Sequence, residues 1–449
     1  MGYVRAVMPS PSRIRPRLAT LRLPLLVAAA FAGGALSNRL ASATTADASP
    51  YLPLDELARV LTIVEREYVD PTAREKLVEG AVRGMVAELD PHSGYMNAEE
   101  FTQFLDDARG RFGGIGVEVD VRDDTITVIA PIEGSPAARA GVRPGDRILA
   151  VDGQALRSSR FDRVLERMRG EPGTKVRLSI GREGEREPIT LELVREIVKV
   201  KSVEARRLDA GVLYVRLRQF QETTHEELLR EVARVRGDGG PALRGVVLDL
   251  RFNPGGLVDQ AELVADELLD RGAIYSTRHR GTILDEVAAT PGGALANLPV
   301  VTLLNAYTAS ASELVAGALQ DHARGPVVGE RSFGKGSVQT ILDLPSGAAL
   351  RLTTMRYYTP KGSAIQARGI EPDVVVRPKD PHDVVREEGI DGHLVAEASA
   401  ARGGQEVVAS PPIPLEPIRV AELAADPRQG SDFVLKVGYE RLLARMVKR

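Results

Sequence analysis

The sequence predicts an α/β chain of several domains: a helical N-terminal region, a small β-rich module, a layered α/β core and a mixed C-terminal tail. Three observations carry this. Apolar residues recur at helical spacing up to about residue 109. From Gly110 onward, glycines punctuate short runs of alternating apolar residues. After Arg195, strand-like runs alternate with helix-like ones, as in a layered core. A length of 449 residues suits two to four domains.

The first 43 residues stand apart. Arg5, Arg13, Arg15, Arg17 and Arg22 form a basic stretch without an acidic residue, residues 23–36 are apolar, and Ala41-Ser42-Ala43 is a small-residue cleavage pattern. This is the layout of a secretory signal. The apolar run is short for a transmembrane helix, and an uncleaved N-terminal anchor is the alternative. Removing this segment takes away six arginines and moves the net charge from −3 to −9. An exported protein of the periplasm or cell envelope is expected.

Residues 51–109 form the helical region. Leu54, Leu57, Val60, Leu61 and Val64 share one helical face, Val78, Ala81, Val82 and Met85 another, and Asn97 is placed to cap a third helix. Residues 110–195 form the β module. Within it Ser135-Pro136 starts a short helix that Gly141 ends, and residues 161–168 carry an amphipathic helix. Residues 196–380 form the core. Its strands are expected at 212–217, 244–252, 300–304, 327–329 and 348–355, and its helices at 226–235, 257–269 and 310–323. In the tail, 381–449, Ser410-Pro411-Pro412-Ile413-Pro414 reads as a linker and residues 433–446 as a final helix.

Composition excludes several functions. Lys and Arg total 59 against 62 Asp and Glu, aromatics are 4%, and there is no Trp, so nucleic-acid binding is not expected. There is no Cys, which removes thiol catalysis, disulfides and zinc-thiolate sites. The six histidines show no ligand spacing, and neither a metal nor a cofactor is expected. His322 lies 12 residues beyond Ser310 on one expected helix, roughly 18 Å away, so it cannot serve that serine as a base.

Three segments carry chemistry. Ser310 opens the helix 310–323, and Ser310-x-x-Glu313 fits a capping box, which by itself explains the serine. A serine there also sits where backbone N–H groups converge and favour negative charge. Lys335 lies between Gly334 and Gly336, 25 residues on, with Gln339 four residues further. Burial would let such a lysine act as a base. A P-loop is excluded because Gly336 stands where Ser or Thr should follow the lysine. Asn253-Pro254-Gly255-Gly256 follows a buried strand; it reads as a tight turn or as a place where Gly256 offers its N–H to an oxyanion.

Together these segments resemble the carboxyl-terminal processing peptidases, serine proteases with a Ser-Lys dyad. The resemblance runs from about residue 51 to 380. It includes Leu89-Asp90-Pro91-His92-Ser93, Gly113-Gly114-Ile115-Gly116, Gly134-Ser135-Pro136-Ala137, Pro144-Gly145-Asp146, Leu248-Asp249-Leu250-Arg251, Tyr358-Thr359-Pro360-Lys361-Gly362 and Gly369-Ile370-Glu371-Pro372-Asp373. It implies a PDZ-like β module and a ClpP/crotonase-like protease core. It implies Ser310 as nucleophile, Lys335 as general base, Gln339 as the group orienting the lysine, and the N–H groups of Gly256 and Ala311 as oxyanion donors. Thr308 departs from the commoner Ser, and Ala367-Arg368 from the usual residues before Gly369.

In the module, Gly114-Ile115-Gly116 would bind a substrate carboxylate, and the groove would lie between residues 117–119 and the helix 161–168. Arg169 would transmit gating. The implied partners are protein substrates with free apolar C-termini, an adaptor or activator protein, and a second copy of the chain in a homo-oligomer. Membrane association would run through the N-terminal segment. Two alternatives stand beside this: a non-catalytic PDZ scaffold with a relic protease domain, and crotonase-like acyl-CoA chemistry.

Overall fold

The structure is a computed structural model that describes residues 52–122, 125–132, 134–155, 167–378, 384–397, 405–411 and 418–447. The N-terminal segment 1–43 and most of the helix expected at 161–168 lie outside these residues. The chain divides into two compact units between Val82 and Arg83.

In the first unit the helix Leu52–Glu67 is amphipathic, as the spacing of its apolar residues requires. Arg74, at the start of the next helix, donates two hydrogen bonds to Glu65, at 2.6 and 2.7 Å. Both side chains meet solvent, so this pair contributes little to stability.

The second unit holds the expected third helix, Ala98–Ala108. Asn97 caps it: its side chain accepts from Glu100 N–H while Glu100 reaches back to Asn97 N–H. The β module follows. Five antiparallel strands run in the order Val117–Arg122, Thr125–Pro131, Arg147–Val151, Lys175–Gly181, Ile189–Val194, with Gln154–Ala155 pairing on the third. Their inward residues, including Ile126, Val128, Ile148, Leu178 and Ile180, form a separate apolar core. Ser135 and Pro136 start the short helix Pro136–Arg139 as expected. A two-stranded ribbon, Arg111–Gly114 against Glu196–Lys199, joins the two ends of the module.

The core is built on a seven-stranded sheet. Its strands are Val203–Leu208, Val212–Leu217, Gly245–Asp249, Val300–Leu304, Val327–Gly329, Val374–Pro378 and Glu406–Ser410, side by side in chain order. The first pair is antiparallel and the rest are parallel. The central strands read as continuous apolar runs because both faces are covered. Leu213, Val215, Leu217, Val246 and Leu248 face the helices Thr224–Gly237, Val258–Leu268 and Ala311–Asp321. Tyr214, Val247, Val301 and Leu303 alternate to the other face, which the final helix Phe433–Val447 covers.

Several elements differ from expectation. Between the helix after the Asn253–Gly256 turn and the strand at 300 lies a hairpin the sequence does not announce, Gly272–His279 with Thr282–Ala289. The segment after Lys335, for which no strand is expected, forms one, Ser337–Asp343. It pairs with Ala349–Tyr358, which also pairs with Gly94–Met96 and the hairpin in a second sheet. Ser410 ends a core strand, and residues 412–414 of the expected linker lie outside the described residues.

Candidate active site

Ser310 begins the helix Ala311–Asp321 with φ 56° and ψ −121°. A non-glycine residue there stores strain that surrounding contacts must hold. The holding contacts are visible. Ser310 N–H donates to Glu313 Oε2 at 2.7 Å, and the Ser310 carbonyl accepts from Glu313 N–H at 2.8 Å. The Glu313 half of the expected capping box is thus in place.

The turn Asn253–Gly256 packs against this serine. Asn253 fixes it from both sides: its carbonyl accepts from Ala309 N–H at 3.0 Å and Ser312 Oγ at 3.2 Å. Its side chain accepts from Gly255 N–H at 2.9 Å and donates to the Leu217 carbonyl at 3.0 Å. A Cβ on Gly255 would lie 2.8 Å from Ser310 Cβ and 3.0 Å from Ala311 N, so only glycine fits. Gly256 lies beside Phe220 in a parallel bridge, whose bonds run from Phe220 N–H to the Gly255 carbonyl and from Leu257 N–H to the Phe220 carbonyl, both 2.8 Å. This pattern leaves the N–H of Gly256 itself unused. The N–H of Ala311, in the open first turn of its helix, also has no acceptor among the described residues. The two expected oxyanion donors are thus on adjoining turns and uncommitted.

Thr308, the departure from the commoner serine, uses only its hydroxyl: it donates to the Leu250 carbonyl at 2.9 Å and accepts from Asn305 N–H at 3.1 Å. Either hydroxyl residue can do this.

Glu313 joins the serine to the lysine. It is fully buried. Its Oε2 accepts from the N–H groups of both Ser310, at 2.7 Å, and Lys335, at 2.9 Å. Two nitrogens on one oxygen lie within roughly 6 Å of each other. Its Oε1 accepts from Gly334 N–H at 2.7 Å and Ser332 Oγ at 2.5 Å. Burial pushes the Glu313 carboxyl up to about 7, against the four hydrogen bonds that favour its charged form. Sequence reasoning saw this residue only as part of a helix cap.

Lys335 is half-buried. Burial holds its ammonium pKa below the ordinary lysine value and nearby Arg351 pushes the same way, while Glu387, Asp90 and Glu313 oppose them. Gly336 admits close contact behind it: a Cβ there would meet Gln366 N at 2.3 Å. The departure Ala367-Arg368 lies against the same loop, with Ala367 N–H donating to the Gly334 carbonyl at 2.8 Å. No hydrogen bond joins the Ser310 hydroxyl to the Lys335 ammonium among the described residues.

Gln339 lies on the strand Ser337–Asp343, two residues beyond Ser337, while Lys335 precedes that strand. Its amide donates to Ser337 Oγ at 2.9 Å and to Thr353 Oγ1 at 3.3 Å, not to the lysine. The Asp90–Ser93 turn supports Thr353: Asp90 Oδ1 accepts from Thr353 Oγ1 at 3.1 Å, and Ser93 Oγ accepts from Thr353 N–H at 3.0 Å. From the other side, Gly336 N–H donates to Gln366, which donates to buried Glu387 at 2.7 Å; His92 Nε2 also lies 2.8 Å from Glu387. The motif Asp90-Pro91-His92-Ser93 thus braces the lysine loop. Glu387 carried no sequence signal at all. His322 bonds to the Ala273 carbonyl at the far end of the serine's helix, at 2.6 Å.

In the β module, Ile115 is core, and its carbonyl accepts from Ala137 N–H at 2.9 Å. Gly114 bridges to Arg169, and the Gly116 carbonyl accepts from Ser135 Oγ at 2.9 Å. The Arg169 guanidinium lies 5.4 Å from the Phe112 ring centre. The helix wall of the expected groove lies outside the described residues, apart from Arg167 and Met168.

Residues 211–376 match the model of peptidase family S41, and residues 34–100 that of the N-terminal domain of the activating protease CtpB. A carboxy-terminal-processing protease of Bartonella bacilliformis is 41% identical over 82% of this chain and 87% of its own length. The chain belongs to the carboxy-terminal-processing proteases of family S41. It is a serine-type peptidase. The protease is also 34% identical to the carboxy-terminal processing protease CtpA of Bacillus subtilis, over 74% of this chain and 70% of that one. It is 31% identical to the solved photosystem II D1 C-terminal processing protease, covering 71% of this chain and 91% of that one with a TM-score of 0.45. Residues 127–182 match the PDZ domain model, so the β module of this protease is a PDZ domain.

Proposed function

We propose that this protease is an exported endopeptidase in which Ser310 is the nucleophile and Lys335 its general base. The observation that supports this most is the shared Glu313 carboxylate, to which both residues donate their backbone N–H. A neutral Lys335 would take the Ser310 proton as Oγ attacks the peptide carbonyl. The oxyanion would rest on the N–H groups of Gly256 and Ala311. The lysine would then return the proton to the leaving amine, and water would hydrolyse the acyl-enzyme. Gln339 acts through Ser337 and Thr353, holding the strand that follows the lysine.

A substrate tail with a free, apolar C-terminus enters the PDZ groove at Gly114-Ile115-Gly116, and movement of the domain closes the distance between hydroxyl and ammonium. Arg169, set against Phe112 in the ribbon that joins domain to core, transmits this movement. The N-terminal segment 1–43 delivers the chain to the cell envelope or anchors it to the inner membrane. An adaptor or activator protein and a homo-oligomer are the further partners.

The experiment is cleavage of a tail-bearing protein by purified Ser310→Ala and Lys335→Ala variants. Both fold, and neither cleaves. Wild-type turnover by either variant overturns the assignment.

A further inference from the structure

Two short tethers connect the PDZ domain to the core, Gly110 with its neighbours on one strand and Lys199-Val200 on the other. They bond to each other, Val200 N–H donating to the Gly110 carbonyl at 3.2 Å. Between them and the helix Thr224–Gly237 lies a cavity of about 200 Å³. Arg109, Arg111, Lys199 and Arg230 line it, together with one carboxylate, Glu227.

The charges in this cavity are not balanced from within. Glu227 is committed elsewhere: it accepts from Ser202 N–H at 2.8 Å, Ser202 Oγ at 2.9 Å and Thr223 Oγ1 at 2.9 Å. Arg109 has only distant acidic neighbours, Asp106 at 3.7 Å and Glu222 at 3.9 Å. Arg230 is paired with Glu226. Arg111 and Lys199 have no ion-pair partner among the described residues. They stand directly opposite each other in the ribbon, where like charges on facing positions repel. A two-stranded ribbon gains little from such a pair unless something negative sits between them.

We propose that this cavity binds a phosphate-class oxyanion, held by Arg111 and Lys199 on the tethers and Arg230 on the core. The occupant is free phosphate or the headgroup of an acidic lipid; both present the same oxygens to guanidinium and ammonium donors. Because two of the cations stand on the tethers and the third on the core, occupancy fixes the tethers against the core. It restrains the movement on which the proposed mechanism depends. The binding rests on the cavity alone; its effect on cleavage rests on that mechanism.

The test uses full-length Ser310→Ala protein, so that binding is read apart from catalysis. Inorganic phosphate is titrated by calorimetry at constant ionic strength, and vesicles of phosphatidylglycerol or phosphatidylcholine are tested by co-sedimentation. Added Lys199→Glu sets a carboxylate opposite Arg111, which favours the ribbon and keeps the fold. It weakens binding roughly tenfold or more, as expected for losing one charge-assisted contact and gaining a repulsive one. Arg186→Glu, on an exposed turn of the PDZ domain, leaves binding unchanged. Saturable phosphate binding lost in Lys199→Glu supports a free oxyanion. Lys199-dependent retention by phosphatidylglycerol alone supports a headgroup. The proposal is overturned if neither probe binds, or if Lys199→Glu binds as its parent does.

Discussion

Replacing Glu313 with Gln tests the join between the serine and lysine segments. Its carboxyl is raised to about 7 by burial, against an unfolded value near 4.5. The folded state therefore holds the Glu313 proton more tightly. Below about pH 4.5 both states carry it, and above about pH 7 neither does. Between these limits the unfolded state releases it first, so this group's contribution to stability is lost as pH rises. Two to three units at 1.36 kcal/mol each give about 3 kcal/mol. Glu313→Gln removes that slope, so the difference in stability between wild type and variant should change by about that amount across the window.

Activity should move in the opposite direction. Only the ionised carboxylate can accept from Ser310, Lys335, Gly334 and Ser332 together; a protonated oxygen presents a donor to a donor. The charged groups facing it are Lys335 and Arg331, and both feel its charge. Wild-type kcat/KM should therefore rise through pH 7. In Glu313→Gln it should fall roughly 100-fold, about 2.7 kcal/mol of transition-state stabilisation. The remaining acid limb, that of Lys335, should shift to lower pH because a neighbouring negative charge is gone. Guanidinium unfolding and initial-rate profiles from pH 4.5 to 8.5 measure both. Parallel stability curves, or an unchanged rate profile in the variant, would refute the reasoning.

Three further outcomes follow from the same geometry. Gly255→Ala places a methyl 2.8 Å from Ser310 Cβ at φ 102°; it should lower stability by about 1–3 kcal/mol and kcat by more than KM rises, as read from steady-state kinetics. Asp432→Ala breaks the two-bond contact from buried Arg251, at 2.9 and 2.7 Å. It should cost roughly 3 kcal/mol in a urea melt, and it should slow cleavage because Arg251 leads into the Asn253–Gly256 turn. Amidating a substrate's C-terminus should raise KM markedly, and equal turnover of acid and amide would remove the carboxylate from the PDZ role.

How far the sequence reveals this site depends on the range of the interactions. Ser310, Lys335 and the Asn253–Gly256 turn are legible because each is a local pattern. Their meeting is not, because the side chain that joins them, Glu313, has an equally good local explanation as a helix cap. Gln339 shows a different ambiguity. A spacing of four is one helical turn and also two strand repeats, but Lys335 precedes the strand Ser337–Asp343 and Gln339 bonds to Ser337 and Thr353 instead. The hairpin Gly272–Ala289 was hidden by its turn: Arg280-Gly281 adopts positive φ at both positions, 47° and 84°, with arginine where Asn or Asp would have announced it. The strand Glu406–Ser410 and the Asp249–Arg251–Asp432 cluster are long-range pairings, the latter spanning 181 residues. Local periodicity holds no trace of such contacts. The central core strands, by contrast, were legible because burial on both faces leaves a continuous apolar run.

The most direct measurement is the intact mass of the protease after reaction with a probe that acylates activated serines, with the adduct located by peptide mapping. The account predicts one stoichiometric adduct on Ser310, formed with a substrate tail present and lost in both Ser310→Ala and Lys335→Ala. An adduct on another residue, or full labelling of Ser310 in the Lys335→Ala variant, would contradict it.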